Sequence, residues 1–402
     1  MMMKSPALRF PHFLESWESH KLGDLASITM GQSPNSDSYN DVGQGLPLIQ
    51  GNADLKNGWT QPSRFTTEAP KTCEAKDIIL SVRAPVGELA RASEPCCIGR
   101  GVCAIRPHAS LPTNSDFIYY LLTAKKKEWA KLEQGSTFTA VSGNDISTLQ
   151  LHAPSIQEQE LIAFFFSLLD KKISLTERKV NSLKSLLKGV QQKAFIERKQ
   201  ETKSTSNPYS CTLYTLGEIS ESFYSGQTPK SAINDFYCGN IPWATSLDLN
   251  RSTVLSTIKT ISKEGLDSCN LKILPKGSFV ISTCGVEAEN VAGNCGLLGI
   301  DSAISQSLMC IKPKPELVST EFLFYWYRHF GKSICKRYAH GTKQLHLNFD
   351  LMSNLEIVLP SLEEQSKIVD ILSKLDEKIS LAEQRVLAYK KIKQDLLQQM
   401  FV

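Results

Sequence analysis

Two long stretches of the chain place apolar side chains at alternating steps of four and three. In the first, Ile162, Phe166, Leu169, Ile173, Thr176, Val180, Leu183, Leu187, Val190 and Ala194 form one stripe. In the second, the stripe is Ile368, Leu372, Leu375, Ile379, Ala382, Val386, Tyr389, Lys393, Leu396 and Met400. Only Thr176 and Lys393 interrupt the two stripes. A sustained average step of 3.5 residues is the signature of a helix that packs along a partner helix. Each stripe predicts a helix of roughly 40 residues, about 60 Å long at 1.5 Å per residue, more than one compact domain needs. Two amphipathic helices lying each on its own domain would also carry such stripes. The persistence of the heptads favours the two packing on each other as a ruler between domains. Ser155-x-x-Glu158 and Ser361-x-x-Glu364 predict the helix starts. In such a capping box the Ser oxygen accepts from the N3 backbone N–H, and the Glu reaches back to the Ser N–H. Pro154 and Pro360 stand just before, closing the alternating segments LQLHAP and LEIVLP, which predict strands.

Outside these helices the pattern changes to short apolar runs separated by Gly, Pro and Asn. DIILSVRAPVGELA from Asp77 and GSFVISTCGVEAENVA from Gly277 predict strands with tight turns. SDFIYYLLTAKKKEW from Ser115 and TEFLFYWYRHFGKSIC from Thr320 predict single helices. The expected fold class is α/β (α+β), with a substantial, irregular β component. Tyr119, Tyr120, Tyr325, Trp326 and Tyr327 have helical spacing, which points to core packing rather than stacking on bases.

The chain repeats itself. PSIQEQ from Pro154 returns as PSLEEQ from Pro360, and 14 of the 28 positions from Pro154 to Asn181 are identical to those from Pro360 to Leu387, without a gap. Upstream, LGDLASITMGQSP from Leu22 is echoed by LGEISESFYSGQTP from Leu216. The repeat unit is therefore a whole domain followed by a long helix, too long for a solenoid. The expected organisation is a domain over 1–153, a helix over 154–202, a second domain over 203–359 and a second helix over 360–402. KQETKSTSNP, Lys199 to Pro208, breaks the heptads and predicts a linker.

Composition is that of an ordinary globular chain of 402 residues with a net charge of +4, which permits a nucleic-acid partner without demanding one. The 11 cysteines form no C-x-x-C pair, and no secretory segment follows Met1, so reduced thiols and a cytoplasmic location are expected. The longest apolar run, Leu161 to Leu169, is too short to span a bilayer, so no membrane partner is expected. Catalytic signatures are missing. There is no N-P-P-Y or D-P-P-Y methylation motif, and Gly331-Lys332-Ser333 has Trp326 where a phosphate loop needs its first Gly. Cys284 and Cys295 do not match zinc spacing. Ser185-x-x-Lys188 lies on the helix surface, and Asp54 with Glu74-Ala75-Lys76 is a spacing common by chance. No metal or cofactor site is expected, and the chain is read as binding and measuring rather than catalysing.

Two homologous domains related by a two-fold axis would present the same face to two half-sites of duplex DNA, and that axis would make the long helices antiparallel. Their divergent interiors would read different sequences, giving an asymmetric, two-part target with a spacer set by helix length. The chain resembles the specificity (S) subunit of type I restriction-modification systems over essentially its whole length. The resemblance rests on W-x-x-x-x-L-G-D-L from Trp17, Gly31-Gln32-Ser33-Pro34, VRAPVG from Val82, IGRGVCAIRP from Ile98, QGST from Gln134 and the twice-used P-S-x-x-E-Q helix start. STCGVEAENVA, the second-copy counterpart of VRAPVG, departs from that pattern. The resemblance implies two target-recognition domains on an antiparallel coiled coil, with double-stranded DNA, two methyltransferase (M) subunits and restriction (R) subunits as partners. S-adenosylmethionine, ATP and Mg would then belong to those partners. The residues expected to face DNA are Gln32, Ser33, Gln50, Asn52, Arg83, Ser136 and Thr137 in the first copy. In the second they are Gln227, Thr228, Lys230, Thr342, Lys343, Gln344 and His346. Their small donors and acceptors suit phosphates and base edges. Competing expectations are a stand-alone nuclease or methyltransferase with degenerate motifs, and a coiled-coil scaffold for protein partners only.

Overall fold

The computed structural model describes residues 5–108, 113–126, 129, 141–197, 211–283, 292–338 and 347–402. The chain forms two compact units. Unit 1 comprises Met1–Arg178 with Ala382–Val402, and unit 2 comprises Lys179–Leu381. Each unit thus holds a globular part, the first half of one long helix and the second half of the other.

Four helices organise the units: α1 (Ser115–Ala124), α2 (Ile156–Gln191, continued by a wider π-turn over Gln192–Glu197), α3 (Thr320–Tyr338) and α4 (Leu362–Met400). At 36 and 39 residues, α2 and α4 have the length the heptads predict. In unit 1 the halves run antiparallel: Asp170 pairs with Lys393 at 2.5 Å, and Glu177, further along α2, pairs with Lys390, earlier on α4, at 2.7 Å. Ile162 and Phe166 share one buried cluster with Leu397, Met400 and Phe401. In unit 2, Ile368 and Leu372 share a cluster with Phe195, against which Leu187 and Val190 pack.

The same tools fasten each helix pair to its sheets. Phe401 stacks on Phe166 and tilts against Phe117 on α1, while Phe195 meets Phe322 on α3 edge-on. Burying one such ring stabilises by roughly 1.5–3 kcal/mol. The repeated Glu-Gln also finds its physical reason here. The Gln159 amide oxygen accepts from Asn114 N–H at 3.0 Å, and its nitrogen donates to Pro154 O at 2.9 Å. Gln365 accepts from Ser319 N–H at 3.0 Å and donates to Leu317 O and Pro360 O. Both amides are buried, so each ties the start of a long helix to the start of α1 or α3. Glu158 takes a partner that the capping pattern did not suggest: Arg9 grips its buried carboxylate through two bonds of 2.8 and 2.7 Å. At the second start, Ser361 Oγ accepts from Glu364 N–H at 3.3 Å, as a cap should.

The sheets are short-stranded and mixed. In unit 1 a six-stranded sheet runs Ala26–Met30, Val102–Pro107, Ile78–Ser81, Leu89–Arg91, Trp59–Thr60, Leu55–Lys56. A five-stranded sheet runs Tyr39–Asn40, Arg64–Thr66, Leu46–Ile49, Cys96–Ile98, Thr72–Cys73. Unit 2 repeats the first as Ser220–Ser225, Leu308–Pro313, Phe279–Ser282, Cys295–Leu298, Thr253–Val254. It reduces the second to Lys259–Ile261, Ile241–Ala244, Ala303–Ile304. The segments LQLHAP and LEIVLP supply Gln150–Ala153 and Glu356–Leu359, each paired antiparallel with an entry strand, Glu18–Lys21 or Thr212–Thr215. Tyr119, Tyr120, Tyr325, Trp326 and Tyr327 are all buried in the cores, as their spacing indicated.

Candidate nucleic-acid interface

In unit 1, three loops converge beyond the strand ends. The Gly31-Gln32-Ser33 turn is held by Gln32 N–H donating to Ile98 O at 2.9 Å. The Gly99-Arg100-Gly101 loop is held by Gly99 N–H donating to Ile49 O at 2.8 Å, and Val82 N–H donates to Gly101 O at 2.9 Å. The packing leaves no space for side chains at the crossing points. A Cβ on Gly31 would lie 2.2 Å from Gly99 O, and one on Gly101 would lie 2.2 Å from Gln50 O. The Gly in Gly-Gln-Ser-Pro is therefore required by backbone contact. Ser33 Oγ accepts from Arg100 N–H at 3.2 Å, so the turn and the loop form one rigid ridge.

Unit 2 builds the same frame. Gln227 N–H donates to Ile304 O at 3.2 Å, Ser305 N–H to Ala244 O at 2.9 Å, and Thr283 N–H to Ser307 O at 2.9 Å. A Cβ on Gly226 would meet Ile304 O at 2.1 Å. Val141 and Leu347 enter equivalently, donating to Val82 O at 2.9 Å and Thr283 O at 3.1 Å.

Of the residues expected to face DNA, the frame brings Gln32, Ser33, Gln50, Asn52 and Arg83 onto one ridge of unit 1, with all but the half-buried Ser33 exposed. Gln227, Thr228 and Lys230 take the matching place in unit 2, with Thr228 half-buried. Ser136, Thr137, Thr342, Lys343, Gln344 and His346 lie outside the described residues, as do Cys284 and the Lys199–Pro208 segment. The frame also exposes two residues that sequence reasoning passed over, Arg100 and its structural counterpart Gln306. A Gly-x-Gly loop between strands was the available signal in the first copy; Ser305-Gln306-Ser307 gave none.

The chemistry of the ridges is that of donors and acceptors. Asp54 accepts from Gln50 N–H at 2.8 Å, closing a turn, and so is committed to structure. Ser185 and Lys188 lie exposed on α2. Burial pushes the thiols of Cys103 and Cys295, next to these frames, up to about 12. They are neutral near pH 7 and unsuited to nucleophilic attack. Among the described residues no group of three or more His, Cys, Asp or Glu side chains is placed to hold a metal ion. No helix among them is long and apolar enough to cross a membrane.

The duplicated frame and paired helices define a class of two-domain recognition proteins, and comparison places the chain within it. The type I restriction modification DNA specificity domain matches twice, over residues 14–185 and 210–388. The chain belongs to that family: it is a specificity subunit of a type I restriction-modification system, not a catalytic one. It is similar to the MjaIX specificity subunit of Methanocaldococcus jannaschii, 22% identical over 95% of this chain and 92% of that protein. The MjaX specificity subunit of the same organism is 33% identical, but that match spans 44% of this chain and only 42% of the relative. An S subunit structure from M. genitalium has the same fold, with a TM-score of 0.66 at 17% identity over 99% of both chains.

Proposed function

We propose that the chain reads a bipartite, asymmetric site on double-stranded DNA, one half through each unit. The observation that supports this most is the conserved backbone frame carrying unlike side chains. Gln32, Arg83 and Arg100 stand on one ridge, and Gln227, Lys230 and Gln306 on the other. A shared frame gives both units one way of approaching a duplex, and different donors and acceptors give each its own sequence. Arg suits a guanine edge and Gln an adenine edge. In this reading 1–153 and 203–359 are the two target-recognition domains, while 154–202 and 360–402 are the spacers that set the gap between half-sites. The expectation that Ser136, Thr137, Thr342, Lys343, Gln344 and His346 contact DNA belongs to the same reading.

The partners follow from the same reading. Two M subunits would dock on apolar residues left exposed along the helices, such as Phe164, Leu168, Ile371 and Leu387, and R subunits would join the full complex. S-adenosylmethionine, ATP and Mg would bind those partners. The test is a genome-wide map of N6-methyladenine in cells with and without the gene. Loss of a two-part motif with a fixed gap supports the reading. An unchanged map, together with no DNA retardation by the chain in the presence of M subunits, overturns it and leaves a protein-only scaffold.

A further inference from the structure

Unit 1 contains a cleft of about 1200 Å³ whose walls come from α1, the adjoining sheet edge and the paired halves of α2 and α4. Trp59, 44% exposed, lies on it with Tyr119 and Ile173, which give it an apolar side. Four cations of the wall are already matched: Arg91 with Asp116, Lys126 with Glu88, Lys390 with Glu177, and Lys393 with Asp170. Three others are not. Lys76, Lys171 and Arg178 are exposed, and their side-chain charges have no hydrogen-bond or ion-pair partner among the described residues. Lys76 also sits at φ 73°, a left-handed conformation that a lysine seldom adopts.

Unit 2 shows that the fold needs none of this. Ladder register and the ungapped helix repeat put Thr253 where unit 1 has Trp59, and Gly277, at φ 90°, where it has Lys76. Glu377 replaces Lys171, and Gln384 replaces Arg178. Gly277 is what the turn alone requires; Lys76 holds a strained backbone and adds a charge. The four positions carry three cations in unit 1 and a single anion in unit 2.

We propose that this cleft docks an acidic segment of a partner protein, one bearing apolar side chains among its carboxylates, once per chain. The three free cations call for carboxylates, and the Trp59 side offers a seat for an apolar residue. The inference does not rest on the DNA-reading role of the ridges.

The test is fluorescence anisotropy of a labelled glutamate-rich peptide, with leucine at every fourth position, titrated with the intact chain at low salt. The expected result is one peptide per chain, with affinity falling about tenfold in K171E/R178Q, which installs the unit 2 residues on an exposed helix face. Trp59→Thr should weaken binding independently, and the melting temperature of K171E/R178Q should match that of the parent. Absence of binding, equal affinity in K171E/R178Q, or two equivalent peptides per chain would overturn the proposal. So would a short DNA duplex that displaces the peptide through Lys171 and Arg178.

Discussion

Tyr120 on α1 donates a hydrogen bond of 2.8 Å to Asp170 on α2, and Tyr325 on α3 repeats it at 3.0 Å to Asp376 on α4. The carboxylates differ in their second partner. Asp170 accepts from Lys393 on α4, whereas Asp376 is gripped by Arg328 on α3. Lys393 thus interrupts the apolar stripe because Asp170 stands opposite; the position it matches on α2 is Leu187. Lys393→Leu should lower the stability of the intact chain by about 1–2 kcal/mol, since a half-buried carboxylate loses its cation while some solvent remains to screen it. Adding Asp170→Asn should recover most of that loss. Urea denaturation of the two single variants and the pair measures the coupling directly.

Gln365 is worth more than its size suggests. It is fully buried and serves Ser319 N–H, Leu317 O and Pro360 O at once. Gln365→Ala leaves these backbone groups without their partner, and each unsatisfied buried group costs about 1–3 kcal/mol. The expected loss is about 3 kcal/mol, read from the denaturation midpoint at unchanged slope. Gln159→Ala should behave similarly, since it too removes bonds to Asn114 N–H and Pro154 O.

Arg100 and Gln306 occupy matching places on the two ridges, exposed and held by the same backbone bonds. Arg100→Ala should relax methylation specificity at one half-site only, and Gln306→Ala at the other. Arg100→Ala should also reduce the salt slope of DNA binding by about one if its contact is to a phosphate, and leave it unchanged if it reads a base. Stability should stay within about 0.5 kcal/mol of the parent in both, as for other exposed positions. Methylation maps of the two variants decide the assignment, and equal loss at both half-sites would contradict it.

What could be read from the sequence was whatever repeats locally. The 3.5-residue stripes gave α2 and α4 their length and their pairing, the domain duplication suggested the antiparallel direction, and helical spacing put Tyr120 and Tyr325 in the core. Partners distant in sequence stayed hidden. Ser155-x-x-Glu158 spelled a cap, yet Glu158 is held by Arg9, 149 residues upstream. Gln159 stood in the sequence only as part of a repeated helix start, because its partner Asn114, 3.0 Å away, lies 45 residues upstream. Arg100 was quoted as part of a motif without a role, because only the fold brings its loop beside the Gly31 turn.

The buried thiols supply a prediction in the alkaline range. Burial raises Cys103 and Cys295 to about 12, and Cys310 to about 11, from an ordinary thiol value of 9.0. A group with a raised folded-state pKa stays protonated in the folded chain while it ionises in the unfolded one. Between these values the unfolded state binds fewer protons, so stability falls as pH rises. These three thiols should contribute their full stabilisation below about pH 9 and lose it progressively from there to about pH 12. Cys103→Ala/Cys295→Ala should flatten that decline relative to the parent, provided both are compared at equal starting stability. Alkylation of the native protein near pH 8 should mark exposed Cys238 first and spare Cys103, Cys295 and Cys310. Peptide mass mapping after timed alkylation checks the order. Early labelling of Cys103 would show that the sheet beneath the unit 1 ridge opens far more readily than its packing allows.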